Sequence, residues 1–79
     1  MTIAELRRNI VDCANEMHFE YHGKKCGLDQ EIHDSIPVYE IWCGESMKKH
    51  SDFDELIRDK FFDGESIINL LGIVEFNFI

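Results

Sequence analysis

Hydrophobic positions at the start of the chain fall at helical spacing: Ile3, Leu6, Ile10, Cys13, Ala14 and Met17 recur every three or four residues. Glu5, Arg8, Asp12 and Glu16 lie elsewhere around the wheel. Thr2 and Glu5 have the capping-box spacing, which predicts a helix starting at Ile3 and ending between Asn15 and His18. The period then shortens to two, with Phe19 and Tyr21 on one side and His18, Glu20 and His22 on the other, the pattern of a half-buried strand. Gly23-Lys24-Lys25 reads as a turn and Cys26 to Asp29 as a short antiparallel return. Asp29 to Ser35 is polar, lacks a clear period and runs into Ile36-Pro37, so it reads as a loop.

Val38 to Cys43 is β-branched and aromatic, and Gly44-Glu45 turns it into Ser46 to His50, a second hairpin. Ser51 is a candidate N-cap for a helix to Lys60, with Asp52, Asp54 and Glu55 in its first turn and Phe53, Leu56, Ile57 and Phe61 as its apolar stripe. Asp63-Gly64 stops that helix, and Glu65 to Leu71 forms a last short one before the C-cap Gly72. Val74 to Ile79 alternates again, as an edge strand or as a tether packed on the core. The expected fold is α+β: an N-terminal helix, an antiparallel sheet of three to four short strands in two hairpins, two C-terminal helices and a C-terminal edge strand, all in one domain over residues 1–79.

Length narrows the functional range. Seventy-nine residues, 44% apolar and 11% aromatic, can build one core with little room for an enclosed active site. The run from Ile36 to Tyr39 is far below the ~20 apolar residues of a membrane span, and Met1 to Ile10 lacks the apolar stretch of a secretory signal. Cys13, Cys26 and Cys43 are an odd set without a CxxC pair, which suits free thiols in a reducing compartment. The expectation is a cytoplasmic protein.

Chemistry-bearing residues are few. His18, His22, Cys26, Cys43 and His50 include zinc-ligand types, but four residues of strand would hold His18 and His22 ~13 Å apart, so no metal site is expected. Cys26 near His22 and the two lysines is the one local hint of a nucleophile, yet a hairpin tip excludes no water. Gly64-Glu65-Ser66 lacks the lysine and preceding strand of a phosphate loop. These residues predict neither an enzyme nor a cofactor.

Charge is more informative. The formal net charge is −8, with residues 1–25 neutral and the excess carried by the remainder. Asp52, Asp54, Glu55, Asp59, Asp63 and Glu65 lie on or beside one predicted helix. Carboxylates four residues apart on a helix are ~6 Å apart, close to nucleic-acid phosphate spacing, so such a helix could mimic DNA toward a basic protein. Direct nucleic-acid binding is disfavoured. The plainer account of the same acids is favourable interaction with the helix dipole and solubility. Trp42 has two placements, the centre of the core, which is the more economical, or a partly open sheet face beside Val38, where it would mark a protein-contact or homodimer patch.

Phe19-Glu20-Tyr21-His22-Gly23-Lys24-Lys25-Cys26-Gly27-Leu28-Asp29, Trp42-Cys43-Gly44, Ser51-Asp52-Phe53-Asp54-Glu55-Leu56 and Phe61-Phe62-Asp63-Gly64-Glu65-Ser66-Ile67 come in an order that resembles small accessory proteins carried by prophages and conjugative elements of low-GC Gram-positive bacteria. The likeness spans roughly residues 18–70, with Glu65 where that group has lysine. It implies a mobile-element setting and a non-enzymatic role. The sequence therefore predicts a small acidic domain that binds a protein partner. A DNA-mimic inhibitor of a host nucleic-acid-binding enzyme is the first alternative and a zinc module the second. Asp52, Asp54, Glu55, Asp59, Asp63, Glu65 and Trp42 are the candidate surface.

Overall fold

In the computed structural model, which describes residues 1–79, the capping box forms: Glu5 N–H donates to Thr2 Oγ1 (3.1 Å) and Thr2 N–H to Glu5 Oε1 (3.4 Å). Helix α1, Ile3–Arg7, then widens into a π-helical turn, Arg8–Asp12, where Cys13 N–H donates to Arg8 C=O at 3.0 Å. Asn9 Nδ2 bonds Glu5 C=O and Asn15 Nδ2 bonds Asn9 Oδ1, and Ala14 takes a left-handed φ of 53°. The helical part thus ends before the predicted boundary. Leu6 and Ile10 are buried, Cys13 is exposed, and Met17 is buried as the first residue of a strand.

Strand β1, Met17–Tyr21, turns through His22-Gly23, both at positive φ, into β2, Lys24–His33. Residues 29–33 of the predicted loop are instead the second half of this ten-residue strand. Asp34-Ser35 supplies another two-residue turn with both φ positive (52° and 67°), and β3, Ile36–Cys43, returns. Gly44-Glu45 leads into β4, Ser46–His50, with positive φ at Gly44. At the far edge β5, Asn77–Phe78, pairs with β1, making an antiparallel five-stranded sheet ordered β4-β3-β2-β1-β5. Of the alternating stretch Val74 to Ile79, Asn77–Phe78 therefore forms the edge strand.

Asp52, not Ser51, caps helix α2, Phe53–Arg58, by accepting from Asp54 N–H at 3.1 Å. After α2 the chain turns at Asp63-Gly64, across which Phe62 and Glu65 bridge. Ser66 caps helix α3, Ile67–Leu70. These helices and α1 cover one face of the sheet. Met17, Phe19, Cys26, Leu28, Tyr39, Ile41 and Cys43 point from the strands into a core that Leu6, Ile10, Phe53, Leu56, Ile57, Phe62, Ile67 and Leu70 complete. Within each of these strands the core residues share one parity, so the opposite parity defines a face that no helix covers.

Candidate functional site

The residues of the predicted acidic surface are largely engaged within the chain. Asp52 is a cap, Asp54 pairs with Arg7, and Glu65 accepts from Asn69 Nδ2 at 2.9 Å. Asp63 Oδ2 lies 3.0 Å from His22 Nδ1, with Lys24 Nζ 3.9 Å from its other oxygen. Asp59 is the most enclosed: Lys48 Nζ lies 2.6 Å and His50 Nε2 2.8 Å from its Oδ2. The Lys48 hydrogen bond holds the Asp59 carboxyl below its ordinary range, with His50 adding to the effect against the opposing cost of burial. Only Glu55 of the six is without a side-chain ion pair or hydrogen bond. Trp42 lies apart from these acids, on the open face of the sheet.

Antiparallel register builds that face in rows. His18, Gly27, Trp42 and Met47 are consecutive cross-strand neighbours, and Asp29, Glu40 and Lys49 form the next row. Glu31 stands opposite Val38, and Glu20 opposite Lys25. Trp42 lies directly on Gly27: a Cβ added there would come within 2.1 Å of indole Cζ2. Gly27 is buried although it faces away from the core, because the indole covers it. The His18 ring meets the indole edge to face, with centroids 5.5 Å apart. Beside them His18, Phe19, Glu20, Lys25, Cys26, Trp42 and Asn77 enclose a shallow depression of about 390 Å³.

The second row and Glu31 beyond it concentrate negative charge. Carboxylate oxygens of Asp29, Glu31 and Glu40 lie within 4.8 Å of one another, all half-buried. Lys49 Nζ stands 3.9 Å from Glu31 and 3.8 Å from Glu40, and His33 Nε2 is 2.9 Å from Glu31. Burial, and then the charges of Glu40, Glu16 and Glu31, push the Asp29 carboxyl up to about 6. Glu31 moves the other way, lowered by its His33 hydrogen bond and by Lys49. Asp29 Oδ1 and His18 Nε2 are buried atoms without a hydrogen-bond partner; Glu16 Oε2 is 3.1 Å from that nitrogen, but out of hydrogen-bonding alignment. Three oxygen ligands of this kind suit a hard cation such as Ca²⁺ or Mg²⁺. The cation they already face is the Lys49 ammonium.

Thiols and imidazoles named as zinc or nucleophile candidates are dispersed. His18 is on the open face, His22 stacks on Tyr21 at 3.8 Å and pairs with Asp63, and His50 pairs with Asp59. Cys26 and Cys43 are buried cross-strand neighbours on the core face; burial, then the Cys43 hydrogen bond, push the Cys26 thiol up to about 12. A thiol so placed behaves as a small apolar side chain.

No protein-family model, no curated protein and no solved structure matches the chain.

The open-face acids were missed in the sequence because Asp29 and Glu31 fall in the stretch read as a loop. The available signal was parity: Gly27, Asp29 and Glu31 keep the two-residue step of Lys25, and Glu40 and Trp42 share it on the partner strand.

Proposed function

We propose that this protein acts by binding another protein through the open face of its sheet, as a small cytoplasmic accessory protein rather than as a catalyst. One observation carries this reading: Trp42, seated on Gly27 and flanked by His18 and Met47, lies on the face opposite the core beside three clustered carboxylates that share one lysine ammonium. Met47 is 60% exposed there. An aromatic anchor in a half-buried position, bordered by charge, is the composition of a binding hot spot. The acids of residues 52–65 offer a poorer surface, since capping and ion pairs within the chain already use most of them. The likeness of residues 18–70 to mobile-element accessory proteins agrees with a binding role.

Affinity capture from a host lysate tests the proposal with two variants of verified fold. Met47→Glu with Trp42→Ala alters the open face; Asp52→Asn, Asp54→Asn and Glu55→Gln together neutralise α2 while keeping a competent N-cap. The expected result is a partner lost with the first variant and kept with the second. The reverse pattern overturns the open-face reading and returns the acidic segment as the surface.

A further inference from the structure

We infer that the open face receives an arginine side chain of a partner protein, its stem lying on Trp42 and its guanidinium turned toward the carboxylates of Asp29, Glu31 and Glu40. This inference rests on the protein-binding reading above and names the chemistry of the occupant. Charge complementarity is the first ground. The face presents Glu20, Asp29, Glu31 and Glu40 against Lys25 and Lys49, with Glu16 adjoining, so it is acidic and suits a basic segment.

Donor demand is the second ground and it separates arginine from lysine. The half-buried carboxylates of Asp29, Glu31 and Glu40 cluster with one close donor among them, His33 Nε2 on Glu31 at 2.9 Å, while Lys49 Nζ approaches Glu31 and Glu40 no closer than 3.8 Å, beyond a normal hydrogen bond. Several acceptors held close together are better matched by five N–H donors in a planar fork than by one ammonium. Trp42 provides the third ground. Its indole is held flat by Gly27, a surface on which the apolar stem of arginine packs and its cation is attracted. Successive rows on one face are ~7 Å apart along the strands, within the span of an extended arginine. The raised Asp29 carboxyl agrees with this, because an added cation would relieve the mutual repulsion that raises it.

The full chain, ¹⁵N-labelled at pH 7.5, is to be titrated with the blocked peptide acetyl-Gly-Arg-Thr-Arg-Gly-amide and with matched lysine and citrulline peptides. Saturable shifts are expected at the Trp42 indole N–H and at the Gly27 and Asp29 amides, with the lysine peptide at least ~5-fold weaker and the citrulline peptide without effect. Asp29→Asn with Glu40→Gln should weaken the arginine peptide about tenfold while the core signals stay in place. Equal affinity for arginine and lysine, shifts confined to α2, or no saturable binding at millimolar peptide each overturns the inference. If those failures accompany loss of the captured partner in the open-face variant, protein binding stands and only the guanidinium chemistry falls. If the open-face variant keeps the partner, both fall.

Discussion

Asp29 and Asp59 are the same residue type in one small sheet-and-helix protein, and their surroundings drive them in opposite directions. Asp59 joins β4 to the end of α2, accepting from Lys48 and His50, and its carboxyl is lowered. Asp29 stands among Glu40, Glu16 and Glu31 on the uncovered face, and its carboxyl is raised to about 6. One carboxylate is satisfied by the fold; the other is left short of donors by it. Where a fold holds a half-buried carboxylate among others of its kind, the ionised site costs stability, and the contrast with Asp59 measures that cost.

Adjacent residues of β2 give the sharpest test of this two-faced arrangement. Leu28 is fully buried among helices, so Leu28→Ala should cost ~2–5 kcal/mol in chemical denaturation. Gly27→Ala, one residue away on the other face, should cost ~1–3 kcal/mol because the new methyl displaces the indole. Combining it with Trp42→Ala should recover part of that loss, and strict additivity of the two would show that the indole does not rest on Gly27. Asp59→Asn should cost about 1 kcal/mol by weakening its bonds to Lys48 and His50, with some of the loss screened by solvent.

Asp29→Asn should act in the opposite sense, raising the melting temperature at pH 7 by roughly 2–4 °C and leaving it nearly unchanged at pH 4. The folded-state value for Asp29 lies above the ordinary 3.8, so the folded protein binds this proton more readily than the unfolded chain. Its contribution is complete below about pH 4 and disappears as pH rises through about 6. Asp59 has the reverse sign: its contribution is present above the ordinary carboxylate value and is lost as pH falls through its lowered folded value. Melting curves of the two Asn variants from pH 3 to 8 should therefore both meet wild type at low pH and depart from it toward neutral pH in opposite directions, Asp29→Asn above and Asp59→Asn below, and departures of the same sign would remove the contrast.

Much of the architecture was legible because local signals agreed with one another. Thr2 with Glu5 marked the first helix, Gly44-Glu45 the hairpin, and the alternation of Val74, Phe76 and Phe78 the closing edge strand. The stretch Asp29 to Ser35 was misread because the outer half of this long strand has a single apolar residue, Ile32, and so no hydrophobic period, and Asp34-Ser35 is an uncommon pair for two left-handed residues. The helix that was expected to reach Asn15 fits the 3.6-residue period through Met17, but Met17 takes its burial from the sheet. Acidic residues 52–65 were visible as a cluster in the sequence, whereas their partners, Arg7, Lys24, Lys48 and His50, come from distant segments. Proximity across strands, not along the chain, made both the satisfied acids and the unsatisfied ones.

The seating of Trp42 on Gly27 also makes the protein its own optical probe. The chain has one tryptophan, and it lies outside the core, whereas the buried Tyr39 packs on Phe53 within it. Indole emission therefore follows the uncovered face, while far-ultraviolet circular dichroism follows the helices that cover the other. In two-state unfolding the two signals must change together. A ligand settling on the open face would change the indole signal alone, so binding and unfolding can be read separately in the unlabelled protein.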